Sequence, residues 1–173
     1  MTAIRLLPFF ALLGTMASQA QPDTLLVPSG DTTFAFAVVY DRPEPAEQYK
    51  LIGRYAHDTS AVAVRLDMKR GKPSGVYRAY FPDGRPLIFA VYGWGYLHGD
   101  WTEYDEMGRV TLKGQYREGM REGTWAFRRE GILGHYRKGL KHGKWKTYVN
   151  GRVVRIEKWR NGQQLTGHTH FIP

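Results

Sequence analysis

The 173-residue chain has no cysteine, 20 glycines, 24 aromatic residues and a formal net charge of +9. Zero cysteine excludes disulfides, thiol nucleophiles and cysteine-ligated metal sites, and it leaves no thiol for a lipoprotein anchor. A charged fraction of 24% with 42% apolar residues is ordinary for a folded domain and excludes a wholly disordered chain.

Arg5 is the only charged residue before Asp23, and the apolar run Leu6–Leu13 that follows is too short to span a bilayer. Ser18 and Ala20 supply small side chains at the positions that signal peptidase reads, so residues 1–20 are expected to be a cleaved leader. The mature chain is then expected to be exported, periplasmic or secreted, without a transmembrane segment. Residues 21–52 read as an N-terminal β cap. Within them Asp23 to Asp31 is turn-like, Phe34 to Tyr40 predicts a strand, Arg42–Pro45 breaks it, and an extended pattern resumes over Tyr49 to Tyr55.

From residue 53 to 167 the chain repeats itself about five times. Leading glycines fall at Gly75, Gly99, Gly123 and Gly143, spaced 24, 24 and 20, and each opens a segment such as Gly99-x-Trp101-x-x-Tyr104 or Gly143-x-Trp145-x-x-Tyr148. Return segments align as Tyr92-x-x-Gly95, Tyr116-x-x-Gly119 and Tyr136-x-x-Gly139, with Met68-x-x-Gly71 in the same frame. Glycine at tight turns between short aromatic and β-branched runs is the pattern of β-hairpins. Alternation at Val110, Leu112, Gly114 and Tyr116 marks strands with one buried face. One hairpin cannot bury its face alone, so the copies must stack. The predicted fold is all-β, an elongated antiparallel meander of hairpins in one twisted sheet, with residues 168–173 as a tail. Trp101, Trp125 and Trp145 are expected to line up in its core. Trp-x-x-Tyr does not keep strand parity, so those aromatics point to opposite faces or flank a bulge.

The motifs Gly114-x-Tyr116-x-x-Gly119-x-x-x-Gly123 and Gly134-x-Tyr136-x-x-Gly139-x-Lys141-His142-Gly143 resemble MORN repeats, and the following Gly-x-Trp-x-x-Tyr resembles the bacterial YwqK-antitoxin-like variant. The resemblance covers about two-thirds of the chain. It implies a hairpin meander used for protein or lipid contacts and no shared catalytic residues. The chain departs from the eukaryotic type in carrying Trp where a second glycine usually follows Gly123 and Gly143. An antitoxin-like partner requires cytoplasmic retention, whereas the leader directs export.

No catalytic constellation, cofactor or metal is expected. Ser74 lies between Pro73 and Gly75 in a turn-like setting, and Gly93-Trp94-Gly95 lacks the spacing of a phosphate loop. Glu103, Asp105 and Glu106 read as solvated residues around a turn, and His98 and His142 as polar turn residues. His168 and His170 share one side of an extended segment but lack a third ligand. The functional signal is charge. Residues 21–108 hold 9 basic and 12 acidic side chains, whereas residues 109–160 hold 15 basic and 4 acidic. Arg117, Arg121, Arg128, Arg129, Arg137, Lys138, Lys141, Lys144 and Lys146 form the candidate basic face. Its expected partner is an anionic protein or surface, lipid head groups included; export argues against nucleic acid. Exposed strand cations that only block aggregation are the competing explanation. The reading is a non-catalytic interaction or scaffold module. Its alternatives are an envelope enzyme or enzyme subunit acting on cell-wall polymers, and an antitoxin-like partner.

Overall fold

The computed structural model describes residues 23–29, 32–41, 46–165 and 170–171. The expected leader and the side chains of His168 and His170 lie outside the described residues. Among the described residues fourteen strands run β1 (Asp23–Ser29), β2 (Thr32–Tyr40), β3 (Gln48–Tyr55), β4 (Asp58–Lys69), β5 (Lys72–Tyr80), β6 (Pro86–Gly93), β7 (Tyr96–Tyr104), β8 (Val110–Arg117), β9 (Met120–Phe127), β10 (Ile132–Arg137), β11 (Leu140–Val149), β12 (Arg152–Arg160), β13 (Gln163–Gln164) and β14 (His170–Phe171). Strands β1 to β13 pair in chain order in one antiparallel sheet, and β14 adds to β12. The ends of that order, β1 and β13, do not pair, so the meander is open. No helix long and apolar enough to cross a membrane occurs among the described residues.

One expectation fails at the start of the chain. Asp23–Ser29 is a strand paired with β2 from Asp23↔Val38 to Ser29↔Thr32, not a turn. Leu25 and Val27 are buried, and their burial outweighs the turn preference of the flanking polar residues. Pro28 is tolerated because β1 is an edge strand. Tyr55, fully buried, donates its hydroxyl to the Tyr80 carbonyl at 2.6 Å and ties the end of β3 to the end of β5.

The repeated glycines have three separate jobs. At 138–139 a two-residue loop joins Arg137 to its partner Leu140, with Lys138 at φ 50° and Gly139 at φ 78°. Two positive φ values in succession define the type I′ turn, whose twist matches that of the flanking strands. Loops at 70–71, 94–95, 118–119 and 161–162 follow the same scheme along that edge. The turns are also fastened to one another. Gly119 N donates to Leu97 O, Gly139 N to Arg121 O and Gly162 N to Lys141 O, each at 2.9 Å, so every turn caps the preceding hairpin.

The leading glycines are different. Gly75, Gly99, Gly123 and Gly143 lie inside strands, at bulges where the outgoing strand carries two extra residues: Lys113 pairs Ala126 but Gln115 pairs Glu122, and Leu133 pairs Lys146 but His135 pairs His142. Ser74, His98 and His142 therefore sit in strands rather than turns, a correction to the sequence reading. Two extra residues preserve parity, so side chains before and after the bulge share a face. A second irregularity falls between Glu103 and Tyr104 and between Thr147 and Tyr148, so each Trp-x-x-Tyr pair flanks a register shift, as its spacing allowed.

The third job is seating tryptophan. A Cβ built on Gly114 would overlap the Trp125 ring, and one on Gly134 would overlap that of Trp145. The aromatic residues alternate between strands as a ladder. Successive ring centroids from Trp101 through Tyr116, Trp125 and Tyr136 to Trp145 lie 5.6, 5.1, 5.9 and 5.1 Å apart, all edge-on. T-shaped pairs place a positive ring edge on a negative face. Trp101, Trp125 and Trp145 are buried, so their primary role is the core packed along this face of the sheet.

Candidate functional site

The nine basic residues do not share one face. Arg121 and Lys141 turn onto the aromatic ladder. The Arg121 guanidinium lies 4.5 Å from the Trp125 centroid and 5.3 Å from that of Tyr136, and it donates to the Tyr136 hydroxyl at 3.1 Å. Burial opposes its charge, but the hydroxyls of Tyr116 and Tyr136 outweigh that and push its pKa up. The Lys141 ammonium is held 4.2 Å from the Trp145 centroid and 4.5 Å from that of Trp159. Burial, helped by nearby Arg155, lowers its pKa. These two cations cap the core through cation–π contacts. A sequence signal existed: they stand two residues after a turn glycine, where the earlier copies have Pro73 and Leu97.

Glu103 is the other residue misplaced by sequence reasoning. Its side chain shares the aromatic face with Trp101, whose indole N–H donates to Glu103 Oε1 at 2.9 Å. Burial pushes the Glu103 pKa up, partly offset by that hydrogen bond and by Arg121. It is not a solvated turn residue. Asp105 does lie at the turn, but tied into it: its carboxylate accepts from the Arg109 and Met107 backbone N–H groups and pairs with the Arg109 side chain, and those bonds hold its pKa down. The position two after the repeat tryptophan is Phe127 in the next copy, which signalled a buried site for Glu103.

The remaining cations define the opposite face. Alternation puts Arg117, Arg137, Lys144 and Lys146 there, with Lys113, Lys158 and Arg160, which the sequence reading had not included. Lys144 pairs directly with Lys158 across β11 and β12, and Lys146 sits between Leu133 and Ile156. Arg128 and Arg129 occupy the β9–β10 turn, and Lys138 a type I′ turn. Arg128 and Lys113 flank a shallow depression of about 380 Å³ with Asp100, Gln115, Thr124 and Ala126. Among the described residues none of the nine cations forms an ion pair. Of the acids on this face, Glu122 accepts instead from the Lys138 backbone N–H at 2.7 Å, and Asp100 from the Gln115 side chain at 3.0 Å.

A second concavity, about 300 Å³, lies where the N-terminal strands meet the 81–85 turn. Phe34, Phe36 and Phe81 line it together with Asp83, Arg85 and Glu106. Two carboxylates thus share a cleft. Arg85 binds Asp83 through its side chain at 2.7 Å and its backbone N–H at 3.0 Å, and both bonds hold the Asp83 pKa down. No group of three metal-ligating side chains occurs among the described residues. The chain matches no described protein family and no characterised protein.

Proposed function

We propose that this chain is an exported, non-catalytic scaffold of MORN-like hairpins whose basic face recruits an anionic partner. The observation that carries the reading is the Lys144↔Lys158 pair. Like charges directly opposite on antiparallel strands are destabilising. Here Lys146 and Arg160 follow on the same face of β11 and β12, and among the described residues none of these four cations forms an ion pair. An anionic ligand would relieve that repulsion, and the open sheet holds the charges at fixed strand spacings. The chemistry available on this face is charge recognition: lysine and arginine donors predominate on it, with the His135↔His142 pair among them.

Crosslinking of the intact chain in its native envelope tests the reading. The Lys144→Glu/Lys146→Glu variant should lose the captured species. Raising salt to about 1 M, where the screening length falls to about 3 Å, should do the same to the wild type. Capture that ignores both changes would overturn the proposal.

The shared cleft of Asp83 and Glu106 supports a second reading, a hydrolase acting on cell-wall polymers. Acid catalysis needs a carboxyl kept protonated near neutral pH, and Arg85 pushes Asp83 the other way. Release of soluble fragments from purified cell wall, abolished by Asp83→Asn and Glu106→Gln, would establish it in place of the scaffold.

A further inference from the structure

The type I′ turn edge carries an apolar ridge that the basic-face argument does not use. Trp94 occupies the first turn position at φ 56° and is 88% exposed. A left-handed backbone is costly for a bulky L-residue, and at this exposure no packing offsets the cost. The equivalent positions hold Arg70, Glu118, Lys138 and Asn161, all polar. Behind Trp94, Tyr96 is 63% exposed, Met120 41% and Leu140 48%. All three follow a turn glycine directly, on the face opposite the aromatic ladder. Each side chain extends over the next turn: Tyr96 toward Gly119, Met120 toward Gly139 and Leu140 toward Gly162. The ridge is continuous and repeats on β7, β9 and β11.

Its period has a physical match. Alternate strands are two spacings of about 4.8 Å apart, so successive ridge residues recur about every 9.6 Å. Seven residues of α-helix rise about 10.5 Å. The charge beside the ridge is mainly positive: Lys72, Arg117, Arg137 and Lys138 against Glu118 and Glu122. We infer that this edge docks an amphipathic α-helix of a partner protein, with apolar residues in heptad register on Tyr96, Met120 and Leu140 and acidic flanks facing the arginines. The helix lies across the strands. From β5 to β11 the edge spans about 29 Å, which a helix of about 20 residues covers. The inference rests on the scaffold reading and names the partner's recognition element.

The test uses the full chain and a labelled amphipathic peptide of about 21 residues, with Leu at heptad spacing and Glu beside it, followed by fluorescence anisotropy. Saturable binding is expected. Scrambling the Leu positions or replacing Glu by Lys should weaken it about tenfold or more. Tyr96→Thr/Met120→Thr/Leu140→Thr, which keeps strand propensity, should have a similar effect, since a few buried apolar anchors dominate such interfaces. Trp94→Asn should weaken binding while leaving the melting temperature unchanged or higher, because Asn tolerates the left-handed conformation. Equal binding of the scrambled peptide, no binding at all, or a destabilised Trp94→Asn protein would overturn the inference. So would ridge-dependent self-association, or ridge-dependent binding to anionic vesicles without binding to the peptide. If envelope capture survives the triple variant but not Lys144→Glu/Lys146→Glu, the ridge fails and the scaffold stands; if capture is indifferent to both, the scaffold reading falls as well.

Discussion

Replacing Gly134 by alanine probes how the tryptophans are seated. The indole of Trp145 lies across Gly134, and its N–H donates to the His135 carbonyl at 3.2 Å. A Cβ at position 134 would overlap ring atoms Cδ2 and Cε2 and sit 2.5 Å from Cε3, so the ring has to move. Its alternative seat is visible one repeat earlier but one. Ala90 holds the equivalent position beside Trp101, and there the indole N–H turns instead to Glu103 at 2.9 Å. In the Trp145 copy the matching residue is Thr147, a shorter acceptor. Overpacking costs about 1–3 kcal/mol, and a buried N–H left without its acceptor costs about 1–3 kcal/mol more. Together Gly134→Ala should destabilise by about 2–6 kcal/mol, a fall in Tm of roughly 5–20 °C for a domain of this size. Adding Thr147→Glu places a carboxylate where Glu103 stands and should recover about 1 kcal/mol or more. Thermal melts with near-ultraviolet circular dichroism read both effects. A Gly134→Ala protein melting with the wild type would refute the seating argument, and a double variant no better than the single would refute the reorientation.

Two further perturbations test the turn and the buried acid. Gly139→Val should destabilise by about 1–2 kcal/mol, since φ 78° is left-handed while the nearest outside atoms, on Met120, leave 3.8 Å of room; an unchanged denaturant midpoint would show that the backbone strain is absent. Glu103→Gln should raise Tm at neutral pH, because the folded-state pKa is pushed up by burial and the native chain binds that proton more tightly than the unfolded one. Wild-type stability then declines as pH rises from the ordinary glutamate pKa through the raised one, and the advantage of Gln should vanish below that window. A pH-independent difference between the two proteins would sink this account.

The all-β class, the hairpin unit and the turn edge were legible in the chain because glycine and aromatic residues recur with the period of the unit that they build. Gly139 could be assigned a positive φ from its repeat position alone. Other assignments needed coordinates. Gly119, Gly123 and Gly114 look alike in sequence, yet one turns the chain, one opens a bulge and one makes room for an indole, since a missing Cβ serves all three purposes. The burial of Asp23–Ser29 depended on a neighbouring strand, which local turn preference cannot register.

Composition and repeat spacing, local properties of the chain, were thus enough to determine an array of stacked hairpins with a basic second half. Tertiary structure alone decided where each charge points. Bulges of two residues carry strand parity through positions that sequence counting treats as turns, so Arg121 and Lys141 fold onto the tryptophans while Lys144 and Lys146 face away. A side chain's face depends on pairing register across strands, and register is a relation between segments rather than a property of either one.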